Sequence, residues 1–238
     1  MSLRRALLRR LNPRYAHLPA PPQDGPFRIL DIGAGPEDGR IARTLFPSAH
    51  VEAVNIAVPA DAQRDAFDVY HRRDLNEDDL SFLPDNGFDY VVSSHTIEHL
   101  EDGPRAVALM CRKVRPGGRI YLEWPSVESE TFPIKGLGLN FYDDATHLRT
   151  YPRADIEAIL VAEGFDIAYS GFRRMGLRML IAPLLVLRRS LKLRRPVLYS
   201  TGFSVPGTGG CPGGLFRARC RSLSARRTGS RSRTACRC

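Results

Sequence analysis

The residues Arg28 to Gly39, RILDIGAGPEDG, constrain the fold of this chain more than any other stretch. Ile29, Leu30 and Ile32 form an apolar run suited to a buried strand, and Asp31 interrupts it with an acid. Gly33, Gly35 and Gly39 follow, where the backbone can turn sharply and a ligand can come close. A strand that ends in a glycine turn and feeds a helix is the ligand-binding corner of an open α/β sheet. The downstream pattern agrees. Strands are expected over Phe27–Ile32, His50–Asn55, Phe67–His71, Phe88–Ser94, Arg119–Trp124 and Asp166–Phe172, with helices over Gly39–Phe46, Pro104–Val114 and from Arg153 to Gly164. Such alternation implies βαβ units and a parallel sheet covered on both faces. Ligands then bind just beyond the carboxyl ends of the strands.

The charge is unevenly distributed. From Thr201 onward the chain holds eight arginines and no acid; subtracting these from the net charge of +9 leaves +1 for residues 1–200. The folded part is therefore nearly neutral, which argues against a nucleic-acid surface. Four of the five cysteines also lie beyond residue 210, without histidines or the paired spacing of a zinc module. No stretch approaches a transmembrane helix. Residues 1–22 read as a basic amphipathic helix, 3–12, ended by Pro13 and followed by a proline-rich connector. Residues 23–205 read as the folded domain, with a final strand over 196–205. Residues 175–195 read as an insertion, a lid or surface helix whose basic end suits contact with a membrane surface. Beyond Pro206 the sequence has no hydrophobic period and reads as a disordered tail, or as the product of a shifted reading frame.

The acids narrow the ligand. Asp31, Glu37 and Asp38 would crowd a phosphate at the turn, and the third glycine comes one residue late for G-x-G-x-x-G. A ligand with a cationic near end is the better fit. ILDIGAG, FDYVVSSHTIEHLED and VRPGGRIYLEWP, in this order and spacing over residues 27–125, resemble the motifs of class I S-adenosylmethionine-dependent methyltransferases, small-molecule type. The resemblance implies a Rossmann-like α/β fold with a mostly parallel seven-stranded sheet, its last strand cut short here. It also implies S-adenosylmethionine as cofactor.

Carried over by position, the resemblance implies that Asp31, Gly33 and Gly35 hold the methionine end, Asp74 and Leu75 the adenine, and Ser94 the cofactor beside the acceptor. Asn55 stands where the family usually has an acid for the ribose hydroxyls, and Glu37 where many members have a glycine. NFYDDATHLRTY, residues 140–151, resembles a segment of methyltransferases from glycan and lipid pathways, which puts Asp144 and His147 above the cofactor. His95, His147 and Asp144 are the expected catalytic set, since removing a hydroxyl proton suits histidine. Some methyltransferases that resemble the Glu98-His99 segment bind a divalent ion through Glu-x-x-Glu-His. His95 occupies the first of those positions here, so the set is incomplete and no metal is expected. The expected function is methyl transfer to an oxygen of a small sugar- or lipid-like acceptor, in the cytoplasm or at the membrane periphery. The alternative is a methyltransferase-fold protein that binds the cofactor weakly and has lost activity.

Overall fold

The computed structural model describes residues 3–18, 27–35, 37–57, 65–132, 140–173, 184 and 220–227. Its elements are α1 (Leu3–Leu11), α2 (Pro13–Ala16), β1 (Arg28–Ile32), α3 (Asp38–Leu45), β2 (His50–Asn55), β3 (Val69–Arg72), β4 (Phe88–Ser94), α4 (Gly103–Lys113), β5 (Val114–Pro125), α5 (Arg153–Ala162), β6 (Phe165–Arg173) and β7 (Cys220–Arg227). They form one seven-stranded sheet in the order β3-β2-β1-β4-β5-β7-β6. All pairings are parallel except those of β7, which runs antiparallel to both β5 and β6. The expected α/β architecture is therefore present.

Side chains alternate across each strand, so the central strands supply two cores at once. Ile29, Val51, Tyr90, Val92 and Tyr121 face one side, with Tyr15, Leu45 and Phe46 packed against them. Leu30, Ile32, Val54, Val91, Ile120 and Leu122 face the other, against Val107 and Met110 of α4 and Ile156 and Leu160 of α5. Every residue of β4 is buried. The Trp124 indole, fully buried, donates to the Tyr151 carbonyl at 2.9 Å, and the Tyr151 hydroxyl accepts from the Gly103 amide at 3.1 Å. These bonds fix the segment 140–151 over the ends of β4 and β5.

Two expectations change. Pro13 does end α1, but it also opens α2 at a position where proline's missing N–H costs nothing, with Asn12 accepting from the Arg14 amide. More consequentially, the region beyond Pro206 is not wholly a disordered tail: Cys220–Arg227 is an inner strand. Its small residues Ser224 and Ala225 are buried between β5 and β6. Arg227 Nη1 donates to Asn86 Oδ1 at 2.7 Å and to the Val114 carbonyl at 2.5 Å. The expected strand 196–205 and the 175–195 insertion, Leu184 apart, lie outside the described residues, as does the connector 19–22. No helix among the described residues is long and apolar enough to cross a membrane.

Beneath the glycine turn, α2 delivers a charge that the sequence reading did not anticipate. Arg14 Nη1 lies 2.6 Å from Asp38 Oδ2 and 3.6 Å from Asp31 Oδ2. Burial pulls the guanidinium's affinity for its proton down, but Asp38 and Asp31 outweigh it and hold its pKa above the usual range. Asp31 is 1% exposed and neither of its oxygens accepts a hydrogen bond. Burial pushes its carboxyl up to about 8; Asp38 adds to the rise and Arg14 opposes it.

Two predictions follow from this packing. Truncation after Pro206 removes β7 and leaves the edges of β5 and β6 unpaired, so the truncated protein should melt at a lower temperature and aggregate on size-exclusion chromatography; a dispensable tail would leave both readouts unchanged. The second concerns Asp31. An acid whose folded pKa of about 8 exceeds its ordinary 3.8 binds more protons folded than unfolded between those values. Stability should therefore fall as pH rises through that window and be level above it. Asp31→Asn removes this slope, so its gain in Tm over the parent should be largest above pH 8 and vanish near pH 4 in thermal melts.

Candidate functional site

The carboxyl ends of β1, β2 and β4 open into a cavity of about 420 Å³ lined by Gly33, Asn55, Asp74, Leu75, His95 and Thr96, with Asn76, His99 and Thr146 at its side. Gly33 has φ +79°, and a Cβ there would fall 1.9 Å from Thr96 Oγ1, so no other residue fits without displacing Thr96. Thr96 Oγ1 donates to the Ile32 carbonyl at 3.1 Å, and the Gly33 amide donates to Val54 at 2.8 Å. Asn55 Nδ2 donates to the Ala34 carbonyl at 2.9 Å, while its Oδ1 accepts from the Ala57 amide at 3.2 Å. An aspartate could not make the first of these bonds. Asn55 is thus a structural tie of the turn as well as a cavity wall.

Of the expected cofactor residues, Gly33, Asn55, Asp74 and Leu75 line the cavity. Asp31 does not. It lies under the turn, with Arg14 Nη1 3.6 Å from its Oδ2. The charge balance that disfavours phosphate changes once these neighbours are placed. Arg14 offsets Asp31 and Asp38, and Arg40 lies 3.2 Å from Glu37. What removes the phosphate cradle is that Asp38 Oδ2 already accepts from the Gly35 amide at 2.7 Å. Gly35 and Ser94 are also absent from the cavity lining. Ser94 Oγ donates instead to Glu123 Oε2 at 3.1 Å.

His95 sits in the left-handed region, φ +56°, at the sharp end of β4. Its Nδ1 lies 3.0 Å from Glu98 Oε1, and its Nε2 lies 3.9 Å from Glu123 Oε1. Both glutamates are buried, and Tyr121 donates a further bond to Glu123. His95 is therefore clamped between two carboxylates. Neither Glu123 nor Arg14 was singled out from the sequence. Glu123 falls inside the strand read over Arg119–Trp124, and Arg14 falls just past Pro13, in the stretch read as a connector.

Thr146 brings the remaining candidates together. Its hydroxyl donates to Asp144 Oδ1 at 2.6 Å, and that bond uses its only proton. It must then accept from His99 Nδ1, 2.9 Å away. His147 Nδ1 lies 2.7 Å from the Phe141 carbonyl, which can only accept. Both imidazoles thus carry a proton on Nδ1, and His147 Nε2 lies 3.9 Å from Asp144 Oδ2. Their rings are 4.7 Å apart. Burial raises the Asp144 carboxyl's pKa, but the Thr146 bonds and both histidines outweigh it and hold it below its usual value.

Comparison with known proteins agrees with this geometry. A family model for the methyltransferase domain matches residues 3–170. The ubiquinone/menaquinone biosynthesis C-methyltransferase UbiE of Vibrio cholerae is 33% identical over 102 residues, 39% of this chain and 39% of that protein. The chain thus matches about two fifths of the length of such curated relatives. Among solved structures, a SAM-dependent methyltransferase from Archaeoglobus fulgidus superposes with a TM-score of 0.54 at 23% identity, covering 94% of this chain and 93% of that one. Phosphoethanolamine N-methyltransferase 2 of Haemonchus contortus gives 0.57 at 20% identity, covering 87% of this chain and 50% of that one. The structural likenesses carry the fold, and the family match runs from α1 into β6. The chain belongs to the methyltransferase-domain family.

Proposed function

We propose that this protein transfers a methyl group from S-adenosylmethionine to an oxygen of a small sugar- or lipid-like acceptor. The observation that carries this reading is the glycine-turn cavity walled by His95, His99 and Thr146, with the His147–Asp144 pair packed behind His99. The cofactor's methionine end lies against the Gly33–Gly35 turn. Asn55 meets the ribose with its remaining lone pair and N–H, a neutral partner weaker than a carboxylate. Asp74 Oδ1 takes the Asn76 amide at 2.9 Å, which leaves Oδ2 to accept from the adenine amino group. The acceptor enters from the side of Thr146 and His147. Tyr142 and Leu148, both more than half exposed, give that approach an apolar rim suited to a lipid-like molecule.

Methyl transfer is an in-line displacement: the acceptor oxygen attacks the methyl carbon, the S–C bond breaks to give neutral S-adenosylhomocysteine, and the hydroxyl proton must leave. His147 Nε2 can take that proton, and Phe141 fixes its tautomer. His95, held by Glu98 and Glu123, orients the wall on which the acceptor rests. A second reading is a weak cofactor binder without transfer, favoured by the engagement of both ends of the Asn55 amide.

Isothermal titration with S-adenosylmethionine and S-adenosylhomocysteine separates these readings. Both ligands should bind one to one, and Asp74→Ala should weaken them by about tenfold, the loss of one charge-assisted hydrogen bond, with little change in Tm. Absence of heat with either ligand would sink the proposal. With labelled S-adenosylmethionine and a panel of phenolic lipids and glycosides, His147→Gln should cut transfer by about 10²–10⁴-fold while leaving cofactor affinity unchanged. Tight cofactor binding with no transfer to any acceptor would support the second reading.

A further inference from the structure

The near neutrality of residues 1–200 hides a division. Residues 15–172 hold all twenty-six acids of the chain and only fourteen of its basic residues, a balance of −12. The positive charge lies at the two ends of the sequence. At the N-terminal end it is carried by α1, LRRALLRRL, which has four arginines and no acid.

α1 has two apolar sides. Leu8 packs on the core made by Ile29, Val51 and Tyr90. At about 100° per residue, Leu7 and Leu11 lie about 40° apart to one side of Leu8, with Arg10 about 60° beyond Leu7. Leu7 is 57% exposed and Leu11 71%, and Arg5 and Arg10 are exposed as well. Among the described residues no other helix exposes two large apolar side chains. The helix cannot roll to bury them. The Asn12 amide donates to the Leu8 and Arg9 carbonyls at 3.0 and 3.3 Å, and Arg9 Nε donates to the Tyr15 carbonyl at 3.3 Å. Tyr15 is buried, and Arg14 beside it is paired with Asp38. A nine-residue helix is too short to persist alone in water, so this attachment keeps α1 formed and its outer leucines turned outward.

Charge decides what covers such a face. A second copy of α1 would set four arginines against four. The residues beyond 172 include sixteen basic side chains and no acid, so they repel the helix too. Nucleic acid would engage the arginines and leave the leucines in water. A bilayer surface with anionic phospholipid satisfies both. The leucines enter the boundary between headgroups and acyl chains, while the arginine stems lie along it and the guanidiniums stay among the phosphates. The same surface repels the acidic remainder of the domain, which restricts docking to this side.

We propose that α1 is an in-plane docking helix that seats the domain on an anionic phospholipid bilayer through Leu7 and Leu11, flanked by Arg5 and Arg10. None of the residues lining the cofactor cavity lies on α1, so docking and cofactor binding can fail independently.

Flotation of the full-length protein with extruded vesicles tests the docking. With vesicles of phosphatidylcholine and phosphatidylglycerol the protein should float, and rising salt should release it. With phosphatidylcholine alone it should stay behind. Leu7→Gln/Leu11→Gln, which keeps good helix formers, should weaken binding at least about tenfold, and Arg5→Gln/Arg10→Gln by about tenfold. The leucine variant should melt as the parent does and bind S-adenosylhomocysteine with the parent's affinity. Leu7→Trp should shift its fluorescence to the blue on adding the anionic vesicles, whereas the one native tryptophan, Trp124, is fully buried and should not respond. Flotation unchanged in the leucine variant would assign the attraction to the basic C-terminal residues and overturn the docking helix. So would the absence of flotation at low salt, tighter binding of duplex RNA that only the arginine variant loses, or a dimer on size-exclusion chromatography that the leucine variant dissolves.

Discussion

The structure depends on the contact between Gly33 and Thr96. The end of β1 and the end of β4 come so close that a single Cβ at Gly33 would overlap the Thr96 hydroxyl. The same hydroxyl bonds the last carbonyl of β1. Two further bonds, Gly33 to Val54 and Asn55 to Ala34, tie the turn to the end of β2. Three strand ends are thereby stitched around one turn, and the cavity is the space those ends leave. The left-handed His95 is a product of the same crowding. Its amide reaches Glu123 at 2.8 Å, so β4 turns away at the one point where β5 still holds it. Rare backbone conformations of this kind persist when their surroundings over-determine them.

Around this corner the fold buries acids and compensates each differently. Asp38 is matched by Arg14 and by the Gly35 amide. Glu123 receives two hydroxyls, from Ser94 and Tyr121. Glu98 receives His95 on one oxygen only, and Asp31 receives no hydrogen bond at all. The two deficits differ in kind. Asp31 is sealed under the turn beside an arginine, and a raised pKa lets it relieve the cost by taking a proton. Glu98 is held through His95, whose ring is itself clamped against Glu123.

Much of this was legible in the sequence. The parallel core declared itself through continuous apolar runs, and the bounds of β2 and β4 match those read from the residues. The glycine turn, with Asp74 and Leu75 as the resemblance positioned them, lines the cavity. What escaped was every relation carried by distance in the chain. Arg14 meets Asp31 across a proline-rich connector, and His147 meets His99 where the Leu148 amide binds the Glu98 carbonyl and Trp124 holds Tyr151. β7 escaped for a different reason. In CRSLSARR the buried residues Ser224 and Ala225 are small, and neither has much strand propensity of its own. Its burial is conferred by β5 and β6 on either side, and an inner strand so placed needs small side chains more than apolar ones.

Asn55 shows how the local and the long-range readings meet. By position it looks like a weakened ribose ligand, an amide in place of an acid. In the folded chain its Nδ2 fills a bond to Ala34 that a carboxylate would turn into a repulsion between two acceptors. The residue therefore serves the turn first and the cofactor second. That ordering is consistent with the rest of the corner, where Asp38 holds Gly35 and Ser94 holds Glu123 rather than facing the cavity. Side chains that position alone would assign to the ligand are here used to fix the walls. His99, which does line the cavity, has His147 and its Asp144 partner packed against it, and these are the side chains nearest to what enters.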